Sequence, residues 1–210
     1  VFFDGDAVIA NTWIDTGAGD DIIVAGGGGD SINPGAGNDY VNGQSNESQY
    51  VDDEWGSRDE VTFWNTSYGQ VELEEVTVLV EDTTGVAKPN GDGQWMIYGY
   101  AGDAALTSDA VAITAGTAPT TAGFIATKGY LVTDTKSGGI GTNLLVGVEA
   151  IGFQDQYVEV QGRSNEWSWT DWMTGETITE KSVEGTLFSE ILTGASGTDS
   201  LSGKGGDDIL

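Results

Sequence analysis

Residues 16–42 divide into three consecutive nines: TGAGDDIIV, AGGGGDSIN and PGAGNDYVN. Each nine has Gly at its second and fourth places, Asp at its sixth (Asp21, Asp30, Asp39) and an aliphatic residue at its eighth (Ile23, Ile32, Val41). A fixed short period constrains a chain more than composition does, because each unit must stack on its neighbours to bury its own apolar residue. Gly permits the sharp turn and the close backbone approach. The aliphatic place heads a very short strand that points into a narrow core, and the Asp closes the turn. A flexible Gly/Asp-rich linker has no reason to keep an aliphatic at every ninth residue.

The pattern returns near the other end. GASGTDSLS (194–202) and GKGGDDIL (203–210) set Asp199 and Asp208 nine apart, with Leu201 and Leu210 at the apolar place. GTLFSEILT (185–193) is a degraded turn, with Glu190 at the Asp place and Leu192 at the apolar one.

These sequences resemble the repeats-in-toxin (RTX) calcium-binding family, whose signature is G-G-x-G-x-D-x-U-x. The resemblance implies a parallel β-roll in which each nine makes half a coil. Turns eighteen residues apart would then stack, with Ca2+ between them. In that family, carbonyls from places two and four of one turn and one and three of the next join both Asp carboxylates. Carried over here, one ion takes the carbonyls of Gly17, Gly19, Pro34 and Ala36 with the carboxylates of Asp21 and Asp39. Six oxygens suit calcium. By the same carry-over Gly26, Gly28 and Asp30 serve the second row, with Thr12 or Ser48 across from Asp30. At the far end, Asp208, Gly203 and Gly205 stack on Glu190. Asp199 wants a further turn.

Charge points the same way. The chain carries 34 acidic and 7 basic residues, a net charge of −27. Such self-repulsion opposes a compact state unless cations neutralise it. Nucleic acid is excluded as a partner, because phosphate binding draws on Lys and Arg. Without Cys or His, zinc, iron–sulfur and haem sites lose their usual ligands, and a His-based triad is ruled out. Seven Trp, seven Tyr and six Phe argue against a solvated disordered tail. No stretch approaches the roughly 20 apolar residues of a membrane helix, so membrane insertion is not expected.

Between the repeats Gly falls and β-branched residues rise. Strand candidates include VELEEVTVLVED (71–82), QWMIYGY (94–100), GYLVTD (129–134), NLLVGVEAIGF (143–153), EWSWTDW (166–172) and TITEKSV (177–183). DAALTSDAVA (103–112) is the one plausible short helix. The expected fold class is all-β: parallel β-roll segments at both ends around a β-sandwich-like or irregular antiparallel insert. The expected division is 1–63 as an N-terminal roll with degenerate edge turns, 64–184 as the insert, and 185–210 as the start of a second roll block. RDEVTF (58–63) has an acid two places before Val, and residues 54–62 read as a degenerate turn. YLVTDTKSGGIGTNLLVGVEAIGFQDQYVEV (130–160) resembles the segment that often accompanies RTX blocks, with Val148, Ile151 and Phe153 as core. The two blocks could form one continuous roll or two separate ones.

Three Trp crowd into EWSWTDW. Trp167, Trp169 and Trp172 could plug the open end of a roll, or lie open as a platform for a carbohydrate, with Glu166 and Asp171 beside them to bond sugar hydroxyls. No nucleophile elbow, phosphate loop or zinc motif is present, and no enzymatic activity is expected. The resemblance implies an extracellular or cell-surface protein exported by type I secretion and completed by extracellular calcium. It implies a calcium-dependent folding and spacing module of an adhesin or surface layer, and the Trp segment adds glycans or a host or biofilm surface as candidate partners. The alternative is the C-terminal accessory region of a secreted hydrolase or toxin.

Overall fold

A computed structural model describes residues 2–4, 11–25, 28–43, 58–82, 94–100, 124–136 and 138–210. Gly26, Ser48 and the expected helix at 103–112 lie outside the described residues. Among the described residues the regular elements are all strands except for one 3-10 turn at Tyr68–Gln70, so the fold is all-β. It divides into two compact units, Val1–Tyr157 and Val158–Leu210.

In the first unit, short strands alternate between two sheets. One holds β1 (Phe2–Asp4), β3 (Ile22–Val24), β5 (Tyr40–Asn42) and β10 (Thr142–Val146), all parallel. The other holds β2 (Trp13–Asp15), β4 (Ser31–Asn33), β6 (Glu60–Phe63) and β11 (Ala150–Phe153), also parallel. Consecutive nines fall on opposite sheets, so partners stand eighteen residues apart, as with Ile23 on Val41 and Ile14 on Ile32. This is the parallel β-roll that the repeat demands. Its core is the eighth place of each nine: Ile14, Ile23, Ile32, Val41, Val61, Leu145 and Ile151 are all buried. Phe63 stacks on Phe153 with ring centroids 5.9 Å apart, and Tyr68 meets Phe153 edge-on at 5.4 Å.

After β6 the chain makes a long antiparallel excursion. β7 (Val71–Asp82) pairs with β8 (Gln94–Tyr100) and along its length with β9 (Phe124–Asp134). β9 then pairs with β10, which lies parallel against β5. The excursion is therefore welded to one edge of the roll. Gly129 makes room there, because a Cβ on it would lie 2.4 Å from a Val78 methyl. Val76, Val78, Leu144, Val146 and Tyr40 form one buried cluster over that junction. The compact units separate at 157/158, whereas the sequence division was drawn at 63/64 and 184/185. Residues 142–153 supply one more strand to each sheet of the roll, β10 and β11. Val148, Ile151 and Phe153 are buried there. β12 (Tyr157–Glu159) spans the junction of the units.

In the second unit, β13 (Arg163–Thr170) and β14 (Thr177–Glu184) form an antiparallel hairpin, and β15 (Ser200–Ser202) joins β14 in parallel, again eighteen residues on. Ile191 bridges Ile209 in the same parallel sense.

Candidate metal centre

Stacking brings the sixth places into columns, and one hydrogen bond recurs along them. The backbone N–H at the sixth place of one turn donates to the carboxylate at the sixth place of the next. Asp21 N donates to Asp39 Oδ1 at 3.0 Å, Thr12 N to Asp30 Oδ1 at 2.7 Å, and Glu190 N to Asp208 Oδ1 at 3.0 Å. Lys181 N donates to Asp199 Oδ1 at 2.8 Å. A second ladder runs through the fifth places, where Asn38 N donates to Asp20 Oδ1 at 2.8 Å and Asp207 N to Ser189 Oγ at 3.0 Å. Each carboxylate thus uses one oxygen to fix the stack and directs the other elsewhere.

Beside Asp21 and Asp39, three of the four expected carbonyls take part in the bonds between stacked turns. Gly17 O accepts Ala36 N–H at 2.9 Å, Ala36 O accepts Gly19 N–H at 2.8 Å, and Pro34 O accepts the Thr16 hydroxyl at 2.9 Å. Each of these carbonyls keeps a second lone pair. Gly17, Gly19, Gly35 and Gly37 have φ of +89°, +117°, +88° and +148°. The approach between turns is so close that a Cβ on Gly35 would sit 1.7 Å from Gly17 O.

The second row differs from its expected form. Asp30 N donates to Asp59 Oδ1 at 2.7 Å, 29 residues away rather than 18. Eleven residues are inserted between Gly43, at the first place of that turn, and Asp59, at its sixth. Ser48, the expected partner, is replaced by Asp59, and Asp30 has a carboxylate across from it after all. The signal was present in RDEVTF, where Val61 holds the apolar place, but a fixed nine-residue count steps over it. Gly28 is buried beside Asp30.

In the second unit Glu190 turns back on its own loop. Its carboxylate accepts the Thr186 N–H at 3.0 and 3.1 Å and the Thr186 hydroxyl. Gly205 N donates to Thr186 O at 3.0 Å, and a Cβ on Gly203 would lie 2.0 Å from Asp208 Oδ2. Asp199 stacks on Lys181, an ammonium at the Asp place, so no carboxylate faces it from that side. Lys204, at the place where the first-unit turns carry Gly17 and Gly35, has φ +63° and is held by Glu184 at 2.9 Å and Glu159 at 3.3 Å.

The electrostatics of the columns are unusual. Asp39 and Asp59 are both 0% exposed, and Asp39 Oδ2 and Asp59 Oδ2 have no hydrogen-bond partner. Among the described residues no Lys or Arg pairs with either. Burial pushes the Asp39 carboxyl up to about 7, with neighbouring Asp21 and Asp20 adding to the rise. Burial, then Glu149 and Asp30, push Asp59 up to about 10. A buried, unpaired carboxylate is costly, and a cation bound between turns removes that cost. Two carboxylates with backbone carbonyls make an all-oxygen donor set, which suits calcium and not the softer metals. Among the described residues no three acidic side chains converge on one point, so carbonyls must complete any such shell.

The Trp segment lies in the β13–β14 hairpin. Trp167, Trp169 and Trp172 are 48%, 43% and 89% exposed. Trp167 Nε1 donates to Glu180 Oε2 at 3.0 Å. Glu166 is exposed in the same strand. Asp171 is committed to the hairpin turn, its Oδ1 accepting Met173 N–H at 2.7 Å and Thr174 N–H at 3.3 Å.

Neither a curated protein nor a solved structure matches the chain. Residues 8–41 and 184–210 match the family model of the RTX calcium-binding nonapeptide repeat, in four copies. Such repeats bind Ca2+. The period, the eighteen-residue stacking and the buried Asp columns agree with that match, and these two stretches of the chain are RTX calcium-binding nonapeptide repeats.

Proposed function

We propose that the chain is a calcium-dependent folding and spacing module of a secreted protein, and that calcium binding rather than catalysis is its role. One observation carries this reading. The sixth-place carboxylates are held in register by backbone amides, yet Asp39 and Asp59 each bury an oxygen that nothing in the fold satisfies. A ligand that binds only the folded state stabilises it by RT ln(1 + [L]/Kd). The fold would stay loose in calcium-poor cytosol and close outside the cell, which fits export by type I secretion to the extracellular space or the cell surface. The ligand set we assign is Asp21 and Asp39 with the carbonyls of Gly17, Gly19, Pro34 and Ala36, then Asp30 with Asp59, and Asp208 with Glu190.

An adhesive role in a surface protein has one specific support. Trp167, Trp169 and Trp172 are too exposed to plug a core, and exposed aromatic patches are the surfaces that stack on sugars or proteins. Asp171 Oδ1 serves the hairpin turn. A glycan array probed with the calcium-loaded chain and with Trp169→Ala tests this part. Binding that Trp169→Ala abolishes upholds it. No binding by the parent chain leaves a spacer or the accessory region of a secreted hydrolase or toxin.

A further inference from the structure

The carboxylate column continues beyond the repeats that match the family. β10 and β11 enter the roll from the far side of the excursion, and the turn joining them is only Gly147–Val148–Glu149. Ala150 pairs with Glu60, so Glu149 stands opposite Asp59, at the sixth place. It completes the same ladder: Asp59 N donates to Glu149 Oε2 at 2.7 Å. This turn is three residues shorter than a regular one, and Glu, one methylene longer than Asp, spans the difference.

The surroundings reproduce those of a matched repeat. In the second unit a Cβ on Gly185, a first-place residue, would lie 2.5 Å from Glu190 Oε2 of its own turn and 2.8 Å from the first-place carbonyl, Gly203 O, of the next. In the first unit a Cβ on Gly43 would lie 2.4 Å from Asp59 Oδ2 and 2.2 Å from Gly147 O. The same two oxygens thus converge on the same space, with Glu149 in the role of Asp208. The Asp59 side chain is fully buried, and the Oδ2 directed there has no hydrogen-bond partner. Arg58 Nη2 donates to the Glu149 backbone carbonyl at 3.4 Å.

We infer that Asp59, the Gly147 carbonyl and Glu149 hold a calcium ion outside the nonapeptide repeats, and that this ion clamps the excursion onto the roll. The inference rests on the calcium reading above. Its carboxylate ligands lie 90 residues apart, so the ion closes a long loop whose ends otherwise cost entropy to hold together. A protonated Asp59 is the rival: a neutral acid needs no ion.

The test is calcium stoichiometry by isothermal titration of the full 210-residue chain, wild type against Asp59→Asn, Glu149→Gln, the double variant and Glu176→Gln. Both single substitutions keep an oxygen to accept the ladder amide. We expect Glu149→Gln to lose one calcium per chain, Asp59→Asn to lose that ion together with the Asp30–Asp59 ion, and the double variant to lose no more than Asp59→Asn, while Glu176→Gln loses none. Wild-type stoichiometry in Glu149→Gln overturns the clamp, as does a double variant that loses more ions than Asp59→Asn. Loss of a single ion in Asp59→Asn with none lost in Glu149→Gln leaves only the Asp30–Asp59 ion and also overturns it. If Asp59→Asn fails to fold, Glu149→Gln decides by itself. A wild-type chain that binds no calcium sinks the underlying calcium reading, which is a different failure.

Discussion

Gly17 and Gly35 occupy the second place of stacked turns with φ of +89° and +88°. Alanine at either position pays about 1–2 kcal/mol for left-handed backbone. A Cβ at 17 meets nothing within 4 Å, whereas one at 35 would sit 1.7 Å from Gly17 O and 2.6 Å from its carbonyl carbon. To reach even 3.0 Å the two turns must separate by more than 1 Å. That shift breaks Ala36 N–H to Gly17 O (2.9 Å) and Gly19 N–H to Ala36 O (2.8 Å), each with a net value of about 0.5–1.5 kcal/mol. Gly35→Ala should therefore cost about 2–5 kcal/mol against about 1–2 kcal/mol for Gly17→Ala. It should also weaken calcium binding, because the new methyl covers a proposed ligand oxygen. Thermal unfolding in saturating calcium reads the difference as a Tm gap of at least about 2 °C, and calorimetry reads the affinity. Equal Tm losses for the two variants would show that the turns do not stack in this register.

Asp30→Ala should reduce calcium binding about as much as Asp39→Ala, since each removes one carboxylate of a facing pair; titration of both variants checks this, and retention of every ion by Asp30→Ala would refute the Asp30–Asp59 pairing. In chelator, stability should fall as pH rises. Asp39 and Asp59 have folded-state values of about 7 and about 10 against 3.8, so their protonated forms favour the fold fully below about 3.8, and that contribution fades as pH climbs through 7. Circular dichroism of the calcium-free chain at pH 4.5 and 7.5 tests this, and a stronger β-signal at pH 7.5 would contradict it. Trp169→Ala should move stability by no more than about 1 kcal/mol, as for other half-exposed sites; a loss near the roughly 3–5 kcal/mol of a buried aromatic would return it to the core.

The period of nine made the roll legible, because the aliphatic at every eighth place and the turn Gly residues both follow from stacking. The core positions Ile23, Ile32 and Val41 could be read directly. The partner of Asp30 could not. The eleven-residue insertion between Gly43 and Asp59 is invisible to a fixed-period search, although RDEVTF holds the correct acid-to-Val spacing. GGIGTNLLV (138–146) has the nonapeptide spacing with Asn143 in place of Asp. Thr142 N–H continues the fifth-place ladder by donating to Asn38 Oδ1 at 3.0 Å, which places this turn on PGAGNDYVN. Its 104-residue separation from that turn hides the stacking, since no local pattern reports which distant strand edge a segment will join. The exposure of the Trp residues was equally unreadable: alternation says which side chains share a face, not whether a second layer covers it.

Circular dichroism of the chain in chelator, then with calcium restored, tests the central claim most directly. Net charge of −27 and the buried carboxylates of Asp39 and Asp59, which no Lys or Arg among the described residues pairs, predict loss of β-signal and of cooperative melting in chelator at pH 7.5, both regained on adding calcium. Magnesium, which demands a tight octahedron and sheds water reluctantly, should restore little. An unchanged spectrum and melting temperature in chelator would contradict the account.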